Sequence, residues 1–232
     1  MELTPKSIAR MIDISAVQAM HGEKELRELV ARAVEYKFIA VHSLPCWTVL
    51  LRELLKAHDD IFIGGPVGFP GGAHKTATKV FEAKQLIEDG IQEMDLMINV
   101  GMLRSGKYEY VENEIRAIVE TARDIPVKVI LEVHYLSGDE IKKACELCIN
   151  AGAKFVKTGT GWAPTGATLE VISQIISFVG DAIKVKASGG IRDLDTFLKM
   201  YKMGVARFGI NLNASIHIIH ECAALPGGVL TV

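Results

Sequence analysis

The sequence lacks both an apolar run long enough to span a membrane and an excess of charge of either sign. The formal net charge is −2 over 232 residues, and charged residues make up 23% of the chain, which is ordinary for a soluble globular protein. No stretch approaches the roughly 18 apolar residues of a membrane span, and the amino terminus lacks the basic and then apolar layout of a secretory signal. We therefore expect a cytoplasmic protein that binds neither nucleic acid nor membranes.

Cysteine is scarce as well. Four scattered cysteines in a chain of this length argue against a disulfide framework. Cys145 and Cys148 form a C-x-x-C motif, but with Ile141 they share one stripe of a predicted helix, and no second ligand pair stands at a suitable spacing. We interpret both as core residues rather than as a redox or zinc site.

A second group of possible metal ligands, His217, His220 and Cys222, lies near the carboxyl end. Apart from Glu221, no nearby carboxylate or cysteine completes a metal-binding set. The sequence thus predicts no metal, and it carries no motif that calls for a cofactor.

Strand-like apolar runs alternate with helix-like segments along the whole chain, without a linker between them. We predict eight strands, one around Asp13, then 38–42, 61–65, 93–99, 127–133, one ending at Lys157, 182–187 and 206–209. We predict helices at 23–36, 48–58, 77–89, 107–124, 139–150, 169–178 and 194–203. Near-continuous apolar strands are typical of parallel strands covered on both faces, and eight such units indicate a closed (β/α)8 barrel formed by one domain, 1–232. An open doubly wound sheet is the competing architecture, but the G-x-G-x-x-G fingerprint of its first turn is absent.

One predicted strand ends on Lys157 and runs straight into a turn of threonine and glycine, Thr158 to Gly161. Because alternate side chains of a strand share a face, Lys157 points the same way as Phe155, which we expect to face an apolar interior. Burial lowers the pKa of an ammonium group and leaves an amine that can attack a carbonyl and form a Schiff base. The alternative is a lysine whose stem packs at the strand end while its head reaches water.

The following strand also ends on a lysine, Lys186, and also enters a glycine turn. A neighbouring cation disfavours charge on the first amine, so Lys186 close to Lys157 is expected to help keep that amine neutral. Lys184 shares the parity of Lys186. It is therefore either a deeper interior charge that needs a partner such as Glu132, or a sign that the strand starts later than 182.

In a barrel, the carboxyl ends of all strands lie on one face, where such proteins carry their chemistry. Asp95 and Lys128 lie in strands that precede this face, and glycine turns follow the last three strands. Glycine turns present unobstructed backbone N–H groups, so they predict a phosphate cradle.

Four segments give the chain its resemblance to a known family. They are Gly68-Phe69-Pro70 with Lys79-Val80-Phe81-Glu82-Ala83, the run 93–101, the run 155–161 and the run 185–192. In this order and over nearly the whole chain they resemble the deoxyribose-phosphate aldolases, class I aldolases on a (β/α)8 barrel. The resemblance implies reversible, metal-independent cleavage of 2-deoxy-D-ribose 5-phosphate to acetaldehyde and D-glyceraldehyde 3-phosphate. It also implies that Lys157 forms the imine, that Lys186 lowers its pKa, that Asp95 relays protons, and that the protein is a homodimer or homotetramer.

Position by position, the resemblance extends to the substrate pocket. Its phosphate-binding side comprises Thr158, Thr160, Gly161, Gly189, Gly190, Gly209 and Asn211. The rest of the predicted pocket comprises Asp13, Ser15, His42 and Lys128.

The chain departs from the family pattern where phosphate would bind. After Gly209 the family usually has small hydroxyl residues, whereas this chain has Ile210-Asn211-Leu212-Asn213. The same imine chemistry on a different or non-phosphorylated aldehyde is therefore a second hypothesis. A third is a catalytically idle barrel used for binding, which three polar residues in otherwise apolar strands argue against.

Overall fold

Eight parallel strands close into a barrel in the order in which they occur along the chain. The computed structural model describes residues 2–231, and the last barrel strand pairs with the first. The strands are β1 (Glu2–Leu3), β2 (Ile12–Ala16), β3 (Ala40–Ser43), β4 (Phe62–Val67), β5 (Glu93–Met97), β6 (Val127–Ile130), β7 (Phe155–Lys157), β8 (Lys184–Ser188), β9 (Arg207–Asn211) and β10 (Leu230–Thr231). Strands β2 to β9 form the barrel, while β1 and β10 pair antiparallel outside it. The predicted (β/α)8 barrel is confirmed.

Helices lie between the strands and cover the outer face of the barrel. They are α1 (Pro5–Ala9), α2 (Glu23–Tyr36), α3 (Thr48–Leu55), α4 (Thr76–Asp89), α5 (Val100–Arg104), α6 (Tyr108–Ala122), α7 (Gly138–Asn150), α8 (Leu169–Val179), α9 (Leu194–Lys202) and α10 (Leu212–Ala223). Three short 3-10 helices stand at Pro45–Trp47, Val133–Tyr135 and Pro226–Gly228. Between residues 2 and 231, no helix combines the length and apolar character needed to cross a membrane.

The long helices lie where the apolar spacing predicted them. In α2, Leu26, Leu29, Val30 and Ala33 are buried on one face, and the helix ends at Lys37, which adopts the left-handed conformation. This spacing brings apolar side chains to the same side of the helix every three or four residues, so that one stripe packs on the barrel.

The structure also contains elements that the sequence analysis did not predict, namely α1, α5, α10 and the β1–β10 pair. Helix α10 is the eighth covering helix, and its buried face includes Ala214, Ile218 and Cys222. Polar residues lie between these apolar ones. From the sequence, this segment was interpreted as a possible set of metal ligands and was not predicted to be a helix. The β1–β10 pair joins opposite ends of the chain, a contact that no local pattern carries.

The interior of the barrel is charged, contrary to the apolar interior expected around Phe155. Arg207 on β9 reaches Glu93 on β5, with 2.7 Å between Nη2 and Oε1, although these two strands are not neighbours. On β2, the side chains of Ile12 and Ile14 point outward from the barrel and pack in the apolar core. Strand residues of this outward parity therefore face the helices, while the charged ones face one another inside the barrel, together with a few apolar residues such as Phe155 and Ile130.

Lys184 is exposed at the first position of β8. Its Nζ lies 5.8 Å from the centre of the Phe155 ring, while Glu132 binds Thr160 instead. Of the two explanations offered for Lys184, the later strand start is correct.

The cysteines of the C-x-x-C motif are buried on α7, as the helical stripe predicted. Burial raises the pKa of the Cys145 thiol to about 12 and that of Cys148 well above its usual value. Both are therefore thiols at neutral pH. Farther along the chain, His220 bonds Tyr36, with 3.1 Å between Nε2 and the hydroxyl oxygen, and Cys222 is buried.

Candidate active site

Lys157 ends β7 inside the barrel and is 8% exposed. Its Nζ lies 2.8 Å from Oδ2 of Asp95 on β5. Burial lowers the pKa of Lys157 and Lys186 lowers it further, while Asp95 opposes both, and the outcome is a pKa of about 8. At pH 7 roughly a tenth of this lysine is therefore a free amine, which is the state that attacks a carbonyl.

Lys186, in register with Lys157 on the next strand, stays charged. Its Nζ lies 2.6 Å from Asp13 Oδ2 and 2.9 Å from Asp95 Oδ2. Burial lowers the pKa of Lys186, but the two carboxylates outweigh burial and raise it. The pKa of each carboxyl in turn stays well below its usual range, because the nearby cations outweigh burial. Asp95 is thus an anion bonded to two lysines, Lys157 with a lowered pKa and Lys186 with a raised one.

A second layer of charge lies beneath these residues. Lys128 bonds Glu93 at 2.5 Å and lies 3.6 Å from Asp95 Oδ1. Arg207 bridges Asp13 at 2.6 Å and Glu93 at 2.7 Å. With Lys157 and Lys186, the interior holds four basic side chains and three carboxylates, so loss of the proton from Lys157 leaves three cations facing three anions. The charge balance of the interior therefore favours a neutral Lys157.

We expect kcat/KM for a reaction through Lys157 to rise with pH through about 8. The reason is that only the neutral amine is nucleophilic, and the pKa of Lys157 is about 8. A pH profile of kcat/KM, or of the yield of imine trapped by borohydride, measures this. A profile that is flat between about pH 6 and 10 would show that Lys157 does not titrate as the nucleophile.

The same pH profile, measured on the variant Lys186→Met, tests the effect of Lys186 on the pKa of Lys157. Removing this ammonium takes away a cation that lowers the pKa of Lys157 and frees Asp95 Oδ2 from its second lysine. Both changes raise the pKa of Lys157, so the rising part of the profile moves to higher pH.

Two connected cavities open above the lysines, at the carboxyl ends of the strands. The inner one, about 30 Å³, is lined by Lys157, Lys186, Asp95, Asp13 and His42, among others. The outer cleft, about 270 Å³, is lined by Thr160, Gly161, Gly189, Gly190, Gly209 and Asn211. Ser15, Val17, Thr160, Ser188 and Gly209 line both cavities. One molecule can thus reach the amine while its other end occupies the cleft.

Two predicted pocket residues lie elsewhere. Lys128 is fully buried below the inner cavity, where it bonds Glu93. Thr158 is also fully buried, and its hydroxyl donates to the Ser188 carbonyl at 2.7 Å and accepts from the Ser188 amide at 2.8 Å. Thr158 therefore ties β7 to β8 from within the protein.

The turn after β7 is held by Glu132, which the sequence analysis had considered as a partner for Lys184. Glu132 has a left-handed backbone with φ 54° and is 4% exposed. Its carboxylate accepts hydrogen bonds from the amide and the hydroxyl of Thr160. A Cβ on Gly159 would lie 2.6 Å from Oε1 of Glu132, so glycine at this position makes room for the carboxylate.

Several residues that line the cleft were not predicted from the sequence. They include the cationic Arg192, whose Nη1 donates to the Ile191 carbonyl at 3.1 Å, together with Ser188 and Gln18. Arg192 stands directly after the glycine turn at the end of β8, and a cation next to a predicted phosphate cradle was a usable signal. Ser188 and Gln18 offered no comparable signal, because small polar residues are common in loops.

Among residues 2–231, the three side chains spaced closely enough to share a metal ion are Asp13, His42 and Glu93. Lys186 and Arg207 already pair with Asp13, and Lys128 and Arg207 with Glu93. A cation placed there would meet these positive groups, so the cluster does not suit a metal.

Fold and site together are those of a (β/α)8 barrel enzyme equipped for imine chemistry on a carbonyl compound. Comparison with known proteins shows which family of this enzyme class the chain resembles. A family model described as DeoC/LacD family aldolase matches residues 14–212. A protein of Rhizobium meliloti (strain 1021) named deoxyribose-phosphate aldolase is 51% identical over 230 residues, covering 99% of this chain and 93% of that protein.

Two solved structures of aldolases are similar to this structure. An aldolase called QR15 superposes with a TM-score of 0.86 at 40% identity, covering 92% of this chain and 95% of the other. Deoxyribose phosphate aldolase from Aeropyrum pernix superposes with a TM-score of 0.87 at 26% identity, covering 96% of this chain and 94% of the other. The chain belongs to the DeoC/LacD family of aldolases.

Proposed function

We propose that this protein is a class I, metal-independent aldolase that reversibly cleaves 2-deoxy-D-ribose 5-phosphate to acetaldehyde and D-glyceraldehyde 3-phosphate. The observation that carries the proposal is the buried amine of Lys157, with a pKa of about 8, in a cavity continuous with a glycine-lined cleft. Relatives named deoxyribose-phosphate aldolase, identical at up to 51% of positions, support the choice of substrate.

The reaction follows from the positions of the charged groups. Lys157 attacks the aldehyde carbon of the open-chain sugar, loss of water gives the iminium, and the iminium accepts the electrons of the breaking carbon–carbon bond. Asp95, held between Lys157 and Lys186, stabilises the iminium charge and can relay protons through water.

The outer cleft suits a phosphate group. Gly189 and Gly190 have φ of 89° and 96°, so their turn exposes backbone to the cleft without a side chain in between. The amino terminus of α10 begins beside it, at Asn211, and a helix amino terminus favours anions. Arg192 adds a full positive charge. These groups replace the hydroxyls that the sequence lacks after Gly209.

The direct test is incubation with acetaldehyde and borohydride, followed by peptide mass spectrometry. The expected product is a reduced ethyl adduct on Lys157, together with release of acetaldehyde from 2-deoxyribose 5-phosphate in a retro-aldol assay. Adducts spread evenly over exposed lysines would show that Lys157 is not activated and would favour the idle barrel.

A second candidate is the same chemistry on a non-phosphorylated or different aldehyde. It is favoured by Asn211, whose Oδ1 accepts the Ala214 amide at 3.0 Å as the cap of α10, and by the buried Ile210. Neither side chain offers a hydroxyl to phosphate. Comparing kcat/KM for 2-deoxyribose with and without the 5-phosphate separates the two candidates.

We expect Arg192→Gln to lower kcat/KM for the phosphorylated sugar about tenfold to a hundredfold, mainly through KM. A hydrogen bond to a charged group contributes about 1.5–3 kcal/mol, and each 1.4 kcal/mol is about tenfold. Activity on 2-deoxyribose should not change. Arg123→Gln, beyond the end of α6, is the control and should affect neither substrate. An equal loss on both sugars would place Arg192 outside phosphate binding.

We also propose a homodimer or homotetramer, because the structure of the relative from Aeropyrum pernix is described as tetrameric. Light scattering of the purified protein tests this. The cytoplasmic location predicted from the sequence remains a prediction, which cell fractionation would test.

A further inference from the structure

His42 lies in the wall of the inner cavity. It is 5% exposed on β3, and its ring packs flat against Gly64 of β4. A Cβ at Gly64 would come within 2.0 Å of Cε1 of the imidazole. Lys157 and Asp95 line the same cavity. The ring therefore occupies a place that glycine at position 64 keeps open.

The imidazole faces both carboxylates that hold Lys186. Its Nε2 is 3.5 Å from Asp13 Oδ2, and its Nδ1 is 3.9 Å from Asp95 Oδ2. In the part of the chain that the structure describes, Nε2 is buried without a hydrogen-bond partner and faces only Asp13, so it is not the nitrogen that meets the cavity. Burial, assisted by Lys186, lowers the pKa of His42, against the opposing effect of the two carboxylates. A neutral imidazole offers one N–H donor and one lone pair.

The other titratable groups lining this cavity are less able than a neutral imidazole to hold a proton taken from the substrate. Asp95 and Asp13 have pKa values well below the usual range and are neutralised by lysines. Lys186 is protonated, because Asp13 and Asp95 outweigh burial and raise its pKa. Lys157 is itself consumed when it forms the iminium. Of the described residues around the cavity, His42 remains as a neutral base.

We propose that His42 is a catalytic residue that accepts the proton of the substrate hydroxyl on the carbon that becomes the new aldehyde. The inference rests on the proposed aldolase function. As the carbon–carbon bond breaks, its electron pair forms the enamine and neutralises the iminium nitrogen. The electron pair of the O–H bond becomes the second bond of the carbonyl, and the proton moves to the imidazole. Asp13 and Asp95 stabilise the imidazolium, which then releases the proton to water.

The test separates imine formation from bond cleavage. Acetaldehyde carries no hydroxyl on the carbon in question, so borohydride trapping of its imine on Lys157 does not need this base. We expect His42→Asn to lower kcat for 2-deoxyribose 5-phosphate at least about a hundredfold, the usual loss when a general base is removed. Trapping with acetaldehyde should stay within about threefold of wild type. Equal loss in both assays would mean that His42 only supports the lysine cluster, and unchanged cleavage would also overturn the inference.

Gly64→Ala gives an independent test, because it displaces the His42 ring without removing a titratable group. We expect it to lower cleavage nearly as much as His42→Ala does. In the His42→Ala background the added methyl group meets no ring, so Gly64→Ala should cause little further loss, as expected for coupled positions. Additive losses would show that Gly64 acts independently of His42 and would contradict the proposal.

The outcomes also distinguish this inference from the proposed function. If the wild-type protein forms the Lys157 adduct but does not cleave 2-deoxyribose 5-phosphate, the proposed substrate is wrong and the role of His42 is overturned with it. If the wild type cleaves the sugar and the His42 variants cleave it equally well, only the role of His42 is overturned.

Discussion

Lys157→Met is expected to abolish aldol cleavage, with a loss on the order of 10⁴-fold or more. Removal of the catalytic nucleophile of a serine protease costs about 10⁶-fold in kcat, and here the amine also provides the electron sink. Methionine retains most of the length of the side chain but cannot form an imine. The measurement is single-turnover release of acetaldehyde from 2-deoxyribose 5-phosphate, together with loss of the borohydride-trapped adduct.

Lys184→Met is the matched control, because it makes the same chemical change on the neighbouring strand. Lys184 is exposed at the start of β8, away from the cavity. This variant should keep both the cleavage rate and the adduct on Lys157. If Lys157→Met retained substantial cleavage, imine formation at this residue would be excluded as the route.

Lys79→Met is expected to destabilise the protein by about 3–5 kcal/mol, the usual cost of leaving one partner of a buried ion pair alone. Lys79 on α4 and Glu114 on α6 are both fully buried, with 2.6 Å between Nζ and Oε1. Lys79 Nζ also donates to the Met97 carbonyl at 2.7 Å, at the end of β5. The pair therefore joins two helices to the strand that carries Asp95.

Thermal unfolding measures the effect. For a protein of this size about 1 kcal/mol shifts the midpoint by roughly 2–4 °C, so we expect a fall of roughly 10 °C. Lys84→Met, on the exposed face of α4, is the control and should change the midpoint little. The double variant with Glu114→Leu should recover part of the loss, because it leaves no buried charge unpaired. A single variant as stable as wild type would show that the pair does not contribute to stability.

The candidate site was partly readable from the sequence because its most important side chains are anchored at strand ends. Lys157 and Lys186 each close a short apolar run before a glycine turn. In a barrel such positions meet at one face, so their proximity follows from the fold class. Asp95 was predicted with them, and the structure places it within 3 Å of both lysine nitrogens.

Other parts of the site depend on contacts across the barrel. Arg207 and Glu93 stand on strands that are not neighbours, and their pairing is visible only when the barrel closes. Lys128 was predicted to line the pocket, but its parity on β6 does not reveal that it lies a layer deeper, beneath Asp95. Depth within a barrel depends on the stagger of neighbouring strands, which a single strand does not show.

The sequence by itself determined the alternation of strands and helices, the closed barrel and the two lysines at its rim. These features depend on periodicity and on residues a few positions apart, where sequence distance and spatial distance agree. The tertiary structure decided the pKa of Lys157, the charged interior and the place of His42 against Gly64. The physical reason is that burial and Coulomb interactions depend on the groups that surround a side chain in space, and most of those groups come from distant parts of the chain.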